Sequence, residues 1–137
     1  MALVKQTGTL EEVVDNARID IEELRDEMES WRDNISGTGL ESTEKYERVD
    51  DTADTLDRIV DALNDITWMD IRESEVKFQV DQRKKAPRWL RLQNSVSALN
   101  AASEVIDNII ENLNDIKESL DTAVSEADGV DFPTMYG

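Results

Sequence analysis

A cluster of cations between residues 83 and 91 is the part of the sequence best suited to hold an anionic ligand. Arg83, Lys84 and Lys85 are followed, after an Ala-Pro step, by Arg88 and Arg91, which lie one helical turn apart. Arginine guanidinium groups and the free N–H groups of a helix N-terminus both bind phosphate well. The sequence therefore offers a candidate site for a small phosphorylated ligand.

Trp89 lies inside this cluster and is open to two interpretations. Its indole could stack on a nucleotide base beside the arginine cations. Trp89 also falls in heptad register with Val96, which favours packing as the first core residue of the following helix. The cations have a structural alternative as well, since they could neutralise acidic faces of the protein. No glycine-rich phosphate loop accompanies the cluster.

Five carboxylates form a second candidate site. Glu22, Glu23 and Asp26 occupy one stretch, and Glu47 and Asp50 lie in the next helical stretch. This spacing resembles the EExxE…ExxD motif of the all-helical nucleoside triphosphate pyrophosphatases, whose carboxylates hold magnesium. Asp26 stands in place of that family's third glutamate, and Mg²⁺ prefers such oxygen ligands. The resemblance implies a magnesium-dependent pyrophosphatase as an alternative function.

The heptad register argues against this alternative. Ile21, Leu24 and Met28 are predicted to face the core, which places the three carboxylates of the first stretch on the outer face. The two carboxylates of the second stretch flank its core positions. We therefore predict no catalytic residue, no metal site and no cofactor, and interpret the five carboxylates as a surface that binds a protein partner. A surface that only keeps the protein in solution is the other interpretation.

The charge balance limits the possible partners. The 137 residues carry a formal net charge of −17 at pH 7. Residues 72–91 differ from the rest, with seven basic against three acidic side chains. A strongly negative field attracts basic proteins and repels nucleic acid and anionic membranes. We therefore expect a protein partner, with no direct binding to nucleic acid or to a membrane.

The residue types that are missing limit the chemistry and the compartment. The chain contains no cysteine and no histidine, which removes thiolate chemistry and the usual general base. No stretch approaches the ~20 apolar residues of a membrane span. The first residues lack the apolar core of a signal peptide. A cytoplasmic, non-enzymatic protein is therefore expected.

Heptad repeats of apolar residues predict the elements that position both candidate sites. We expect one helical domain over residues 1–137, with helices at about 9–35, 43–67 and 87–127. Thr9 and Glu12 are predicted to form a capping box at the start of the first helix, after a loose lead-in. The third helix would be roughly 60 Å long. The predicted fold class is all-α, an elongated three-helix bundle with coiled-coil-like packing.

A basic linker over residues 72–91 is predicted between the second and third helices. Within it, Val76, Phe78 and Val80 alternate with polar residues, as in a strand. A strand there would need a partner, such as the same segment of another subunit, and an amphipathic helical linker is the alternative. Residues 129–137 form an apolar tail that could dock on the bundle or fray.

The apolar stripe of the third helix extends beyond the helices available to cover it. Leu113 belongs to its central row and is predicted to lie in the core, so that Leu113→Ala would cost ~2–5 kcal/mol. The uncovered surface predicts self-association into a homo-oligomer, in which symmetric copies cover each other.

Three stretches of sequence resemble small accessory proteins of tailed bacteriophages. They are residues 29–34 (ESWRDN), 37–57 (GTGLESTEKYERVDDTADTLD) and 91–102 (RLQNSVSALNAA), followed by a short Phe-Pro tail. The resemblance implies a phage-encoded, non-catalytic protein of the host cytoplasm. The expected function is to bind and inhibit a host protein through the acidic helical surface. The alternatives are an oligomeric sponge for a small phosphorylated or nucleotide signal, held by the basic cluster, and a structural component of the virion.

Overall fold

The protein is mostly helical, as predicted, with one small sheet. The computed structural model describes residues 3–36, 44–130 and 132. The elements in chain order are β1 (Leu3–Thr9), α1 (Leu10–Ser36), α2 (Glu44–Asn64), a 3-10 helix (Met69–Ile71), β2 (Glu75–Asp81) and α3 (Arg88–Asp128). The chain divides into two compact units, Met1–Val105 and Ile106–Gly137.

The predicted helix limits agree with the observed ones to within one to three residues, except that residue 43 lies outside the described residues. The region predicted as a basic linker contains β2 and the first turn of α3. None of the helices within residues 3–36 and 44–130 combines the length and the apolar character that crossing a membrane requires.

Helices α1 and α2 form the core of the first unit. One stripe of each helix is buried, because residues three, four and seven positions apart share a helical face. The buried residues of this core cluster are Ile21, Leu24, Met28, Val49, Ala53, Leu56 and Val60. From α3, Leu92 and Leu99 pack against the cluster as half-buried side chains. The core positions predicted for the first helix, Ile21, Leu24 and Met28, are therefore confirmed.

The start of α1 is fixed by the predicted capping box. The amide of Glu12 donates to Oγ1 of Thr9 at 3.2 Å, and the amide of Thr9 donates to Oε2 of Glu12 at 3.5 Å. Leu10 is fully buried, and its amide donates to the carbonyl of Ser74 at 2.7 Å. These bonds satisfy donors that a helix N-terminus leaves without intrahelical partners. They also join α1 to the segment that leads into β2.

Of the two interpretations of the segment before the third helix, a strand or a helical linker, the strand is confirmed as β2, and its partner lies in the same chain. Of the predicted loose lead-in, residues 3–8 belong to β1, which pairs antiparallel with β2 so that Thr9 lies opposite Glu75. Val76 of β2 is fully buried. The lead-in prediction was wrong because most side chains of β1, including Leu3 and Val4, are exposed. Backbone hydrogen bonds to β2 hold this strand in place. The spacing of apolar side chains in the sequence therefore gives little indication of it.

The core positions predicted in the first turns of α3 are correct only in part, since Leu92 and Leu99 pack against the core but two others do not. Trp89 and Val96, predicted to be core residues, are 61% and 43% exposed. The buried residues of α3 are instead Leu90, Ser95, Ala98 and Ala102. Three of these four side chains are small, and a search for periodic large apolar residues gives them little weight.

The second unit is a single helix in its described part. Every described residue from 110 to 130 is exposed, and Leu113 is 57% exposed. The prediction that Leu113 lies in the core of the chain was therefore wrong, because the described residues of this unit form no second element that could pack over the helix. In the predicted apolar tail Phe132 is 81% exposed, and residues 131 and 133–137 lie outside the described residues.

Candidate functional site

Three of the five cations in the basic cluster are bound by carboxylates of the same chain. Arg91 donates to both carboxylate oxygens of Glu27 on α1, at 3.0 and 2.5 Å, and Nε of Arg88 donates to the first of them at 3.1 Å. Arg83 donates to the carboxylate of Asp81 at 2.8 and 3.4 Å. The remaining two cations, Lys84 and Lys85, are exposed and form no ion pair with a described residue.

Glu27 is the centre of the contact between α1 and the first turn of α3. Its arginine partners lie 61 and 64 residues further along the chain. The hydrogen bonds from Arg91 hold the pKa of Glu27 below its ordinary value of 4.5, with help from Arg88 and against the effect of burial. The hydrogen bond to Glu27 raises the pKa of Arg91 in turn. Both ions are therefore stabilised in their charged forms.

The lowered pKa of Glu27 predicts a pH-dependent effect for Glu27→Gln. The folded state favours the ionised carboxylate of Glu27. Its contribution to the free energy of unfolding is therefore fully present above pH 4.5 and is lost as the pH falls through the lowered pKa. Near pH 7 the variant should lose roughly 0.5–1 kcal/mol, since about a third of the side chain is exposed and solvent screens the contact. Denaturant unfolding at a series of pH values measures the difference.

Glu104→Gln provides the matched control, because Glu104 lies in the middle of α3, is exposed and forms no ion pair with a described residue. Its unfolding curve should follow the wild type at every pH. The curves of the wild type and Glu27→Gln should converge below pH 4.5. A gap of constant size from pH 3 to pH 7 would contradict the prediction.

An apolar groove of about 340 Å³ opens beside this contact. It is lined by Leu24, Met28, Trp31, Thr52, Leu56, Arg88, Trp89 and Leu92. The guanidinium of Arg88 lies 5.4 Å from the centre of the Trp31 ring, and Nζ of Lys45 lies 5.2 Å from it. Both distances are within the range of cation–π attraction. Two cations therefore contact the Trp31 indole. Trp89 also lines the groove and is exposed to solvent.

A second, more open depression of about 510 Å³ adjoins the groove and is lined mostly by residues with polar side chains. The two share Trp31 and Arg88, and the second is otherwise lined by Asp26, Glu27, Ser30 and Asn34. An apolar groove with carboxylates at one edge can accept an apolar side chain that has cationic neighbours. Sequence reasoning could not find the groove, because three separate helical segments form its walls.

The five carboxylates of the predicted acidic surface divide into two groups. Glu23 and Glu47 are exposed and form no ion pair with a described residue. Glu22, Asp26 and Asp50 form ion pairs with arginines of α1. Within residues 3–36, 44–130 and 132, no group of three or more Asp, Glu or His side chains is placed to hold a metal ion.

The arginines that bind these carboxylates form a row along α1 that the apolar heptad pattern does not reveal. Arg18, Arg25 and Arg32 recur every seventh residue along α1. Arg25 reaches Asp57 of α2 at 3.0 Å, and Arg32 reaches Asp50 at 3.2 Å. The seven-residue spacing was an available signal, but the heptad search followed apolar residues alone. The row neutralises part of the acidic surface where α1 and α2 meet.

A small polar cavity of about 120 Å³ lies among the sheet, α1 and α3. Ser95 lines it, and its buried hydroxyl has no hydrogen-bond partner among the described residues. Asp20 lines it as well, and burial raises the pKa of this carboxyl, with a contribution from Glu23 and against the effect of Arg91. At roughly 30 Å³ per molecule, the cavity has room for about four waters.

The structure thus brings one carboxylate of the predicted acidic surface and two residues of the basic cluster together at one place. Arg88 and Trp89 of the basic cluster line the apolar groove, and Asp26 of the acidic surface lines the adjoining depression. Glu27, which was not among the predicted site residues, joins them. Comparisons of this chain with protein-family models, with curated proteins and with solved structures find no match.

Proposed function

We propose that this chain is a non-enzymatic binding protein whose partner is a basic protein with a protruding apolar side chain. The apolar groove would hold that side chain, and the carboxylates beside it would attract the surrounding basic residues. The observation that carries the proposal is the groove itself, an apolar recess of about 340 Å³ on the surface of a strongly acidic protein.

The size of the groove suits an anchoring side chain. Pockets for small molecules span roughly 300–1,000 Å³, and this groove lies at the lower end of that range. Interfaces draw most of their affinity from a few buried residues, often aromatic, that are surrounded by weaker contacts. Trp31 and Leu56 would form the floor for such a residue, and the exposed Trp89 would fold over it.

The charges favour a basic partner over a phosphorylated ligand. The formation of ion pairs within the chain does not change its net charge of −17. Glu23 and Glu47 have no ion-pair partner among the described residues. A phosphate bound at the basic cluster would have to displace Glu27 from Arg88 and Arg91. The sponge function would therefore begin by breaking a contact that ties α3 to α1.

The biological setting of the proposal follows the resemblance to phage accessory proteins. The partner would be a protein of the host cytoplasm, and occupation of its basic surface would inhibit it. In this proposal the three helices form a bundle, supported by the packing of Leu92 and Leu99 on the core of α1 and α2.

A selection of displayed random peptides on the immobilised full-length chain tests the proposal. We expect the selected peptides to combine Arg or Lys with Trp, Phe or Leu. Trp89→Ala should weaken their binding by roughly thirtyfold, the effect of losing an anchoring contact of ~2 kcal/mol. Asp26→Asn should weaken it several-fold, with the larger effect at low salt, because exposed charges are screened beyond ~10 Å at 0.1 M.

Matched controls come from residues outside the groove. Val96→Ala changes an exposed apolar residue of α3, and Asp33→Asn changes an exposed carboxylate of α1, so both should leave binding unchanged. Native mass spectrometry of the chain purified from cells tests the sponge alternative. A phosphorylated compound that copurifies, and that Lys84→Gln with Lys85→Gln releases, would decide against the proposal.

A further inference from the structure

The apolar side chains of the second unit follow an unbroken heptad repeat, and those from residue 110 onwards are exposed. With Ile106 at position a, the remaining a positions are Leu113, Leu120 and Ala127. The d positions are Ile109, Ile116 and Ala123. The three large side chains in the middle of this repeat, Leu113, Ile116 and Leu120, are 57%, 57% and 61% exposed. A strict a/d seam of this kind is the pattern by which helices of separate chains pack together.

The acidic residues of this helix are placed away from the seam. Between residues 106 and 125 every acidic residue lies at position b, c or f, on the side opposite a and d. These residues are Asp107, Glu111, Asp115, Glu118 and Asp121. The e and g positions that flank the seam carry Ile110, Asn112, Lys117, Ser119 and Val124. Copies of a chain with a net charge of −17 can therefore meet along this seam without placing like charges opposite each other.

We propose that residues 106–127 of three or four copies of this chain associate as a parallel coiled coil. Leucine at a with isoleucine at d favours trimers and tetramers over dimers, and the apolar Ile110 and Val124 at e widen the face that neighbouring copies cover. Between residues 106 and 125 the seam presents no carboxylate that would attract a basic partner. Further copies of this chain therefore fit the seam better than a basic protein does.

Light scattering coupled to size-exclusion chromatography tests the assembly. At micromolar concentration we expect a mass three or four times the 15.6 kDa of the chain. The double variant Leu113→Asp with Leu120→Asp should run at 15.6 kDa, and Glu118→Gln, at an f position, should keep the wild-type mass. All three tryptophans lie in the first unit, so their unchanged fluorescence would show that the variant remains folded there. A wild-type monomer or dimer would overturn the proposal.

Disulfide trapping tests the parallel arrangement, because the chain has no cysteine of its own. Ala123→Cys places a thiol at d, where parallel copies in register bring it next to its equivalents. Ser125→Cys places a thiol at f, on the outer side, two residues away. We expect cross-linking at least tenfold faster for Ala123→Cys, and equal rates would overturn the parallel seam. Trp89→Ala, which disables the groove, should leave the mass unchanged, so failure of the assembly and failure of the proposed function are distinguishable.

Discussion

Replacing Ile21 with alanine is expected to lower the free energy of unfolding by ~2–5 kcal/mol. Ile21 is 1% exposed and belongs to the core cluster between α1 and α2. Truncation removes apolar atoms from a closely packed region and leaves a cavity that its neighbours fill only in part. Denaturant unfolding followed by tryptophan fluorescence measures the loss, because all three tryptophans lie in the first unit.

Ile19 supplies a matched control on the same helix. It is the same residue type, two positions earlier, and it is 42% exposed. Ile19→Ala should change the free energy of unfolding by less than ~0.5 kcal/mol, as surface substitutions usually do. Similar losses for the two variants would mean that α1 buries a different face from the one described.

Replacing Asn94 with alanine is expected to cost ~2 kcal/mol, because unsatisfied buried polar groups cost ~1–3 kcal/mol each. The amide of Asp81 donates to Oδ1 of Asn94 at 3.0 Å, and Nδ2 of Asn94 donates to the carbonyl of Asp81 at 2.8 Å. Asp81 ends β2 and is only 7% exposed, so water can replace these bonds poorly. One side chain therefore pairs both backbone groups at the end of a strand, as a third strand would.

Asn100→Ala is the control for this prediction, since Asn100 is an exposed asparagine of α3. It should shift the midpoint of denaturant unfolding very little. A loss for Asn94→Ala no greater than that for Asn100→Ala would show that the two bonds to Asp81 add nothing to stability.

The parts of the fold that the sequence predicts are those built from large apolar residues at regular spacing. Ile21, Leu24 and Met28 on α1 and Val76 on β2 are buried where their periodicity places them. Burial of such side chains is the main favourable term in folding, so their pattern reports directly on packing. The capping box of α1 could also be predicted from the sequence, because Thr and Glu three residues apart accept hydrogen bonds from specific backbone donors.

The parts that the sequence does not predict depend on contacts without a periodic side-chain signal. β1 is held by backbone pairing, and the first turns of α3 bury small residues in place of Trp89 and Val96. In the candidate site, the sequence predicted the basic cluster that contains Arg88 and Arg91. It did not predict the carboxylate of Glu27 that binds them. Glu27 is one of 32 acidic residues, and only the approach of α3 to α1 distinguishes it from the others.

The pairing of β1 with β2 sets the order in which the chain can fold during synthesis. Thr9 pairs with Glu75 and Leu3 with Asp81, so no part of the sheet can form until α1 and α2 have both been made. At ~5–20 residues per second the ribosome needs roughly 3–15 seconds to span that interval. During that time α1 and α2 can pack through contacts much closer in sequence, which close at a lower entropic cost. The sheet can therefore form only after α1 and α2 have had time to pack, and α3, whose residues follow β2 in the chain, can pack on their core only once it too has been made.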